Sequence, residues 1–299
     1  MSVARRRSDQ RFGLFLLSPS FLFISVMVLV PLALLTLISM KSLRLGTIVQ
    51  FVGADFTVDN YQRVLADPST WQSLWISTIY IFASSAIAFA IGLLTALVLN
   101  ERFPAQRLFR TLLLLPWAVP GITATVAFLW MLQPSFGVFN FMVRSTGLIE
   151  GDINWFGDTR LALAAVVFPT VWKTYPFFTI MLLAALQTIP RDMYEAASID
   201  GANGWAKFRY ITWPSISRYA IVALVFNAMY VFREFDFIFA STKGGPLGAT
   251  TTVSIKIYNV AFESFDMASA ATLGVLTFIL IGVCVYWFMR WQMKTESRA

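Results

Sequence analysis

Several apolar stretches of this chain are long enough to cross a lipid bilayer, and they limit the fold more than any other feature. A transmembrane helix needs about 20 predominantly apolar residues. Six segments approach or exceed that length, at about 12–40, 71–99, 108–133, 161–188, 216–242 and 268–291. A β-barrel would instead show segments of about ten residues in which apolar and polar residues alternate, and such segments do not dominate this sequence. The sequence therefore predicts an all-α polytopic membrane protein with about six transmembrane helices.

The distribution of basic residues predicts the orientation of these spans. The N-terminus, the loops near 100–110 and 189–218, and the C-terminal tail hold twice as many Lys and Arg residues as the alternate loops. Because the richer side is normally cytoplasmic, we predict that both termini face the cytoplasm. We assign residues 1–11 to a cytoplasmic N-terminus, 12–291 to a six-span domain and 292–299 to a cytoplasmic tail. The formal charge of +7 then requires no nucleic-acid partner.

The scarcity of two residue types limits the kinds of catalytic and metal site that this chain can form. Histidine is absent, which excludes His-based triads and His-ligated metal sites. The single cysteine, Cys284, lies in the last span, so no intrachain disulfide forms. No G-x-x-x-x-G-K-[ST] nucleotide motif occurs. We predict neither catalytic residues nor a metal site on this chain.

Proline in the third span predicts an interruption. The run LLLLPWAVPG places Pro116 and Pro120 about one helical turn apart. Proline removes a backbone donor and disfavours helix in the residue before it. We expect a kink or a broken segment, which either lines a cavity or serves helix packing.

The loop at about 189–218 is charged, yet it contains small and apolar residues within EAASIDGANGWAKFRYITWP. Pro190 is suited to the start of a helix, and Gly201 to its end in the left-handed conformation. Pro214 fits near the start of the fifth span. We predict a short helix, a sharp turn and a second short helix that returns to the membrane. Taken alone, this pattern describes either an ordinary interhelical loop or a docking surface.

The spacing E-A-A-x3-G-x9-I-x-x-P, from Glu195 to Pro214, resembles the cytoplasmic signature loop of permease subunits in binding-protein-dependent ABC importers. Trp213 stands where many members have leucine, an apolar replacement that casts little doubt. In that family the loop forms a coupling helix that docks on the ATP-hydrolysing subunit. The docking residues implied by the resemblance are Glu195, Ala196, Ala197, Asp200, Gly201, Ile211 and Pro214.

Other segments resemble the carbohydrate-type permeases of this family, among them FDFIFASTKGGPLGATT and IYNVAFESFDMASAATLG. Gly244-Gly245-Pro246 is typical of the first of two homologous permeases in maltose- and glycerol-3-phosphate-type systems. The resemblance implies a bacterial inner-membrane complex with a second six-span permease, two ATP-binding subunits and an extracytoplasmic solute-binding protein. It implies a sugar or sugar-like cargo. ATP-Mg would bind to the partner ATPase, and no cofactor to this chain.

Charged residues near the end of the fifth span predict a polar pathway, because charge in a membrane is costly unless paired or hydrated. Helical spacing places Tyr230, Arg233 and Glu234 on one face. The family also places cargo contacts on this span and after the tryptophan of the fourth. The predicted pathway residues are Thr174, Tyr175, Phe177, Asn227, Tyr230, Val231, Arg233, Glu234 and Asp236.

Other interpretations of these charges remain open at this point. Arg233 either lines the pathway or pairs with an acidic neighbour to anchor helices or partner subunits. The cluster of Arg233, Glu234 and Asp236 also suits an ion-coupled secondary transporter, and the two acids an intramembrane enzyme. We expect Lys173 to extend its amine towards the outer headgroups.

Overall fold

A computed structural model describes residues 3–42, 53–147 and 151–296. Apart from one isolated bridge between Lys41 and Phe56, the regular structure of these residues is helical. In chain order the helices are α1 (Val3–Ser39), α2 (Asp59–Ala66), α3 (Pro68–Asn100), α4 (Gln106–Leu112), α5 (Leu115–Ala118), α6 (Gly121–Met131), α7 (Val138–Ser145), α8 (Ala162–Leu186), α9 (Arg191–Ile199), α10 (Gly204–Lys207), α11 (Trp213–Phe232), α12 (Asp236–Ser241), α13 (Val253–Tyr258) and α14 (Met267–Glu296). Single turns of π-helix join α10 to α11 and follow α13.

Five helices in the described part of the chain are long and apolar enough to cross a membrane. They are Leu16–Ser39, Pro68–Asn100, Ala162–Leu186, Gly204–Phe232 and Met267–Gln292. A bent pair, Gln106–Ala118 and Gly121–Met131, provides a sixth crossing if it counts as one span. The predicted all-α fold with about six transmembrane helices is confirmed.

The third span is broken at Pro120, as the sequence predicts. The residue before it, Val119, is extended, with φ −73° and ψ 130°, because the proline ring clashes with a helical predecessor. The helices on either side meet at an angle of 94°. Pro116 does not cause the break, since it lies in the first turn of α5, where its missing N–H is not needed.

The fifth predicted span does not continue as one helix to residue 242. Residues 233–235 separate α11 from α12. The Glu234 Oε1 atom accepts a hydrogen bond of 3.2 Å from the Phe237 backbone N–H and so caps the start of α12. The prediction that Tyr230, Arg233 and Glu234 share one helical face is therefore wrong, because α11 ends before Arg233.

The chain divides into two compact units, one of which comprises Trp71–Lys256. Its core lies where α3, α8 and α11 pack, with Tyr80, Phe178 and Ile216 among its fully buried side chains. Gly92 brings α3 close to α8: a Cβ at this position would clash with the Phe178 Cβ and lie 3.1 Å from two backbone atoms of α8. Small residues often allow such close approach between membrane helices.

The other unit contains α1, α2 and α14. The buried Asn60 side chain in α2 donates hydrogen bonds of 2.8 Å to the carbonyl oxygens of Ser39 and Lys41, at the end of α1. Arg63 in α2 forms an ion pair of 3.7 Å with Asp266, just before α14. Polar contacts from one short helix therefore connect both long helices of this unit.

Candidate functional site

The signature loop, residues 189–218, contains the helix that its sequence predicts. Helix α9 follows the extended residue Pro190, and Asp192 in its first turn complements the positive end of the helix dipole. Gly201 ends the helix with φ +79°, and the Ala202 N–H donates to the Ala197 carbonyl at 2.8 Å. This is a Schellman motif, which requires a left-handed residue at the glycine position. The predicted helix, turn and second short helix are confirmed.

One side of α9 contacts the N-terminal end of α11. The Tyr194 hydroxyl forms a hydrogen bond of 2.9 Å with Thr212 Oγ1, and its ring packs against the core. The Lys207 Nζ atom donates to Ser198 Oγ at 2.7 Å and joins α10 to α9. These contacts join α9 directly to the start of the fifth span, so a movement of α9 can be transmitted to that span.

The opposite side of α9 is exposed. It presents four of the predicted docking residues, Glu195, Ala196, Asp200 and Gly201. Ile199 is 87% exposed and Trp205 71% exposed on the same loop. Large apolar side chains exposed on a charged loop offer area that a protein partner can bury. Neither side chain is among the predicted docking residues, although an apolar residue within a charged loop is a usable signal.

The other predicted docking residues are less accessible or lie elsewhere. Ala197 is half-buried in α9. Ile211 packs against the core cluster and so supports the loop from behind. Pro214 is exposed in the first turn of α11. The structure therefore brings Glu195, Ala196, Asp200 and Gly201 together on an open surface, but not Ile211.

A cavity of 1190 Å³ lies beside α9. Its lining includes Tyr194 and Glu195 from α9 and the end of α3. At that end Gln106 Nε2 and Arg110 Nη2 both donate to the Leu99 carbonyl, at 2.7 and 3.0 Å. These side chains satisfy a terminal carbonyl of α3 and hold α4 in place as one wall of the cavity.

Three predicted pathway residues are buried within the unit that comprises Trp71–Lys256. Thr174 Oγ1 donates to the Thr170 carbonyl at 2.8 Å, and Asn227 Nδ2 donates to Ser85 Oγ at 3.0 Å. Val231 is 1% exposed. In this conformation these residues pack within helices or connect them, and they do not line an open surface.

The remaining pathway candidates are more accessible. Tyr175 and Phe177 are half-buried and pack against the core. Tyr230, Arg233 and Asp236 are exposed at the end of the unit opposite the signature loop. The polar candidates at the end of α11 thus form the accessible part of the predicted pathway.

Contacts of the acidic residues join this polar end to the break in the third span. A Cβ added to Gly121, the first residue of α6, would lie 2.8 Å from Asp236 Oδ2. The carboxylate therefore lies at the positive end of α6. Glu234 is half-buried, and its carboxylate caps the start of α12. Within the described residues, no group of acids and Cys could hold a metal ion.

Lys173 does not extend towards the headgroups. The residue is 9% exposed, and its Nζ atom donates a hydrogen bond of 2.8 Å to the carbonyl oxygen of Val119. That carbonyl is one of those left without a helical partner by the break at Pro120. The prediction of an amine at the membrane surface is wrong, because a backbone acceptor lies within its reach inside the protein.

The family of binding-protein-dependent transport system inner membrane components matches residues 88–295, which include the signature loop and the polar end of α11. The chain belongs to this family. It is therefore a membrane-spanning permease subunit of an ABC importer. The ion-coupled alternative finds no support in this assignment.

Relatives and solved structures agree with the assignment. The trehalose/maltose transport system permease protein MalF of Thermococcus litoralis is 39% identical over 222 residues, 74% of each chain. The sulfoquinovosyl glycerol transport system permease protein SmoG of Agrobacterium fabrum is 34% identical over 93% of this chain and 88% of that protein. A chain in the crystal structure of a bacterial ABC transporter that imports the acidic polysaccharide alginate shares the fold, with a TM-score of 0.82, 20% identity and coverage of 98% of this chain and 99% of that one.

Proposed function

We propose that this permease forms half of the translocation pathway for a carbohydrate or carbohydrate-like solute. The family assignment carries the proposal, and the named cargoes of two relatives, trehalose or maltose and sulfoquinovosyl glycerol, support the carbohydrate class. The second half of the pathway would come from a homologous six-span permease. An extracytoplasmic binding protein would deliver the cargo.

The energy source is a pair of ATP-binding subunits. ATP-Mg binds to those subunits, and this chain binds no cofactor of its own. The exposed side of α9 is the docking surface, with Glu195, Asp200 and Gly201 at the contact. Ile199 and Trp205 add apolar area to that surface. Contacts between Tyr194 and Thr212 transmit the motion of the ATPase pair to α11.

The orientation follows from the positive-inside distribution of Lys and Arg residues. Both termini and the signature loop face the cytoplasm of a bacterial cell. The polar end of α11, with Tyr230 and Arg233, then faces the outer side, where cargo enters. Glu234 caps α12 and Asp236 lies beside the start of α6, so both support the outer end of the pathway.

Uptake into membrane vesicles separates this function from ion-coupled transport. The vesicles carry the complex, with the binding protein supplied outside and ATP enclosed. The proposal predicts that maltose-type or sulfosugar uptake needs ATP and the binding protein and continues when ionophores collapse ion gradients. Uptake without ATP that stops on adding ionophores would contradict the proposal.

A further inference from the structure

The charged side chains after α11, and that of Lys173 in α8, differ in the groups that they contact. Glu234 Oε1 accepts a hydrogen bond from the backbone of α12, and Asp236 Oδ2 lies at the start of α6. The Lys173 amine donates to the Val119 carbonyl. Glu234 and Lys173 thus each have a backbone partner, and Asp236 lies beside the start of a helix.

Arg233 has no such partner among the residues that the structure describes. Its guanidinium makes no hydrogen bond or ion pair with any residue that the structure describes, although two carboxylates follow it closely in the sequence. The side chain is exposed. An arginine near a membrane needs water, a polar ligand or another protein around it, because lipid cannot solvate its charge. The sequence left open that Arg233 pairs with a neighbouring acid. In this conformation it pairs with neither Glu234 nor Asp236.

The neighbouring Tyr230 indicates which surface Arg233 occupies. Tyr230 lies in the last turn of α11, three residues before Arg233 in the sequence. Tyr230 is 37% exposed, so an aromatic face and a free guanidinium are accessible next to the same polar cluster. An aromatic ring beside a cation suits a sugar ring that carries an anionic group.

We infer that Arg233 recognises an anionic group of the cargo, a carboxylate or a sulfonate, and that the solute carried is an acidic carbohydrate. The inference rests on the proposed importer function and adds the substrate class. The planar guanidinium fits two oxygens of either group at once, which an ammonium group does not. The Asp236 carboxylate does not oppose such a cargo strongly, because it lies at the positive end of the α6 dipole.

The test begins with the cargo itself. Cells that express the importer are supplied with an equimolar mixture of neutral glucose and galactose oligosaccharides, glucuronate and galacturonate oligosaccharides, and sulfoquinovosyl glycerol, so that neutral, carboxylate and sulfonate cargoes compete. The binding protein is isolated and denatured, and the charge at pH 7 of the ligand that it releases is measured by electrophoresis and mass spectrometry. Transport of that ligand is then compared in proteoliposomes with the wild-type chain, Arg233→Gln, Arg233→Lys and the control Arg160→Gln, an exposed arginine before α8.

The inference predicts an anionic ligand. Loss of the charged contact in Arg233→Gln should slow transport about tenfold or more, and Arg233→Lys should recover part of that loss. Arg160→Gln should match the wild type. A neutral ligand, or wild-type transport by Arg233→Gln, would overturn the inference. Failure of Arg233→Gln to assemble with the second permease would also overturn it, in favour of a subunit contact. A wild-type chain that assembles with no ATP-binding subunit would instead contradict the importer function itself.

Discussion

The Nζ atom of Lys173 in the fourth span donates a hydrogen bond to the carbonyl oxygen of Val119, where the third span breaks. Proline at position 120 leaves carbonyl groups of α5 without helical N–H partners, and in a membrane each such group must find one inside the protein. A buried lysine therefore supports the irregular backbone of a neighbouring helix. This contact makes Lys173 part of the scaffold of the broken span.

Replacing Lys173 by methionine should destabilise the protein. The substitution keeps an unbranched side chain of nearly the same length but leaves the Val119 carbonyl without its donor, a loss of about 1.5–3 kcal/mol for a bond to a charged group. Denaturant unfolding of the purified chain in detergent measures the change. Arg160→Met, at an exposed position, is the control and should lie within about 0.5 kcal/mol of the wild type. Equal stability of the Lys173 and Arg160 variants would contradict the role of the contact.

Gly92→Ala should destabilise the packing of α3 on α8. The added methyl would clash with the Phe178 Cβ, and overpacking of this kind costs about 1–3 kcal/mol. Gly282 in α14 is a matched control, since a Cβ there meets no atom within 4 Å. Gly282→Ala should be neutral or stabilising by up to about 1 kcal/mol, because alanine favours helix. Thermal unfolding in detergent compares the two variants, and a loss of stability in both would count against the specific contact.

Gly201→Val should uncouple ATP hydrolysis from transport. A β-branched residue at φ +79° costs about 1–2 kcal/mol, even though the space around the glycine is open, so the end of α9 should unwind. Gly201→Asn should be milder, because asparagine tolerates the left-handed region. ATP hydrolysis stimulated by the loaded binding protein is the measurement. Gly204→Val, at a glycine with open space and no positive φ, is the control. Normal stimulation in Gly201→Val would show that this helix end does not matter for coupling.

Ile199→Asp should weaken binding of the ATPase subunit. Ile199 is 87% exposed, and burial of such a side chain at an interface contributes about 1.5–3 kcal/mol, or roughly 10- to 100-fold in affinity. Titration of the purified ATPase subunit against the reconstituted permease measures the affinity. Leu247→Asp, at a side chain that is 93% exposed between α12 and α13, is the control and should bind normally. If both variants bind equally well, the docking surface lies elsewhere.

Features governed by local stereochemistry were predictable from the sequence. The break at Pro120 follows from the geometry of the residue before a proline, and the helix end at Gly201 from the left-handed conformation that glycine accepts. The number of spans follows from the length of the apolar segments. In each case the deciding interaction lies within a few residues of the feature.

Features governed by distant contacts were not predictable in this way. Lys173 bonds to Val119, 54 residues away, and Asn227 bonds to Ser85, 142 residues away. The fifth helix ends early partly because Glu234 caps the next helix, a choice that its apolar surroundings in the sequence do not reveal. Composition places such polar residues in a membrane, but it does not identify their partners.

Co-purification of the tagged chain from its native membrane tests whether α9 is a docking surface for an ATP-binding subunit. We predict recovery, in fixed stoichiometry, of a second six-span permease and an ATP-binding subunit. We also predict loss of the ATP-binding subunit when Glu195→Lys is combined with Ile199→Asp. Recovery of the wild-type chain alone, in a detergent that keeps other ABC importers intact, would contradict the assignment of α9 as a docking surface.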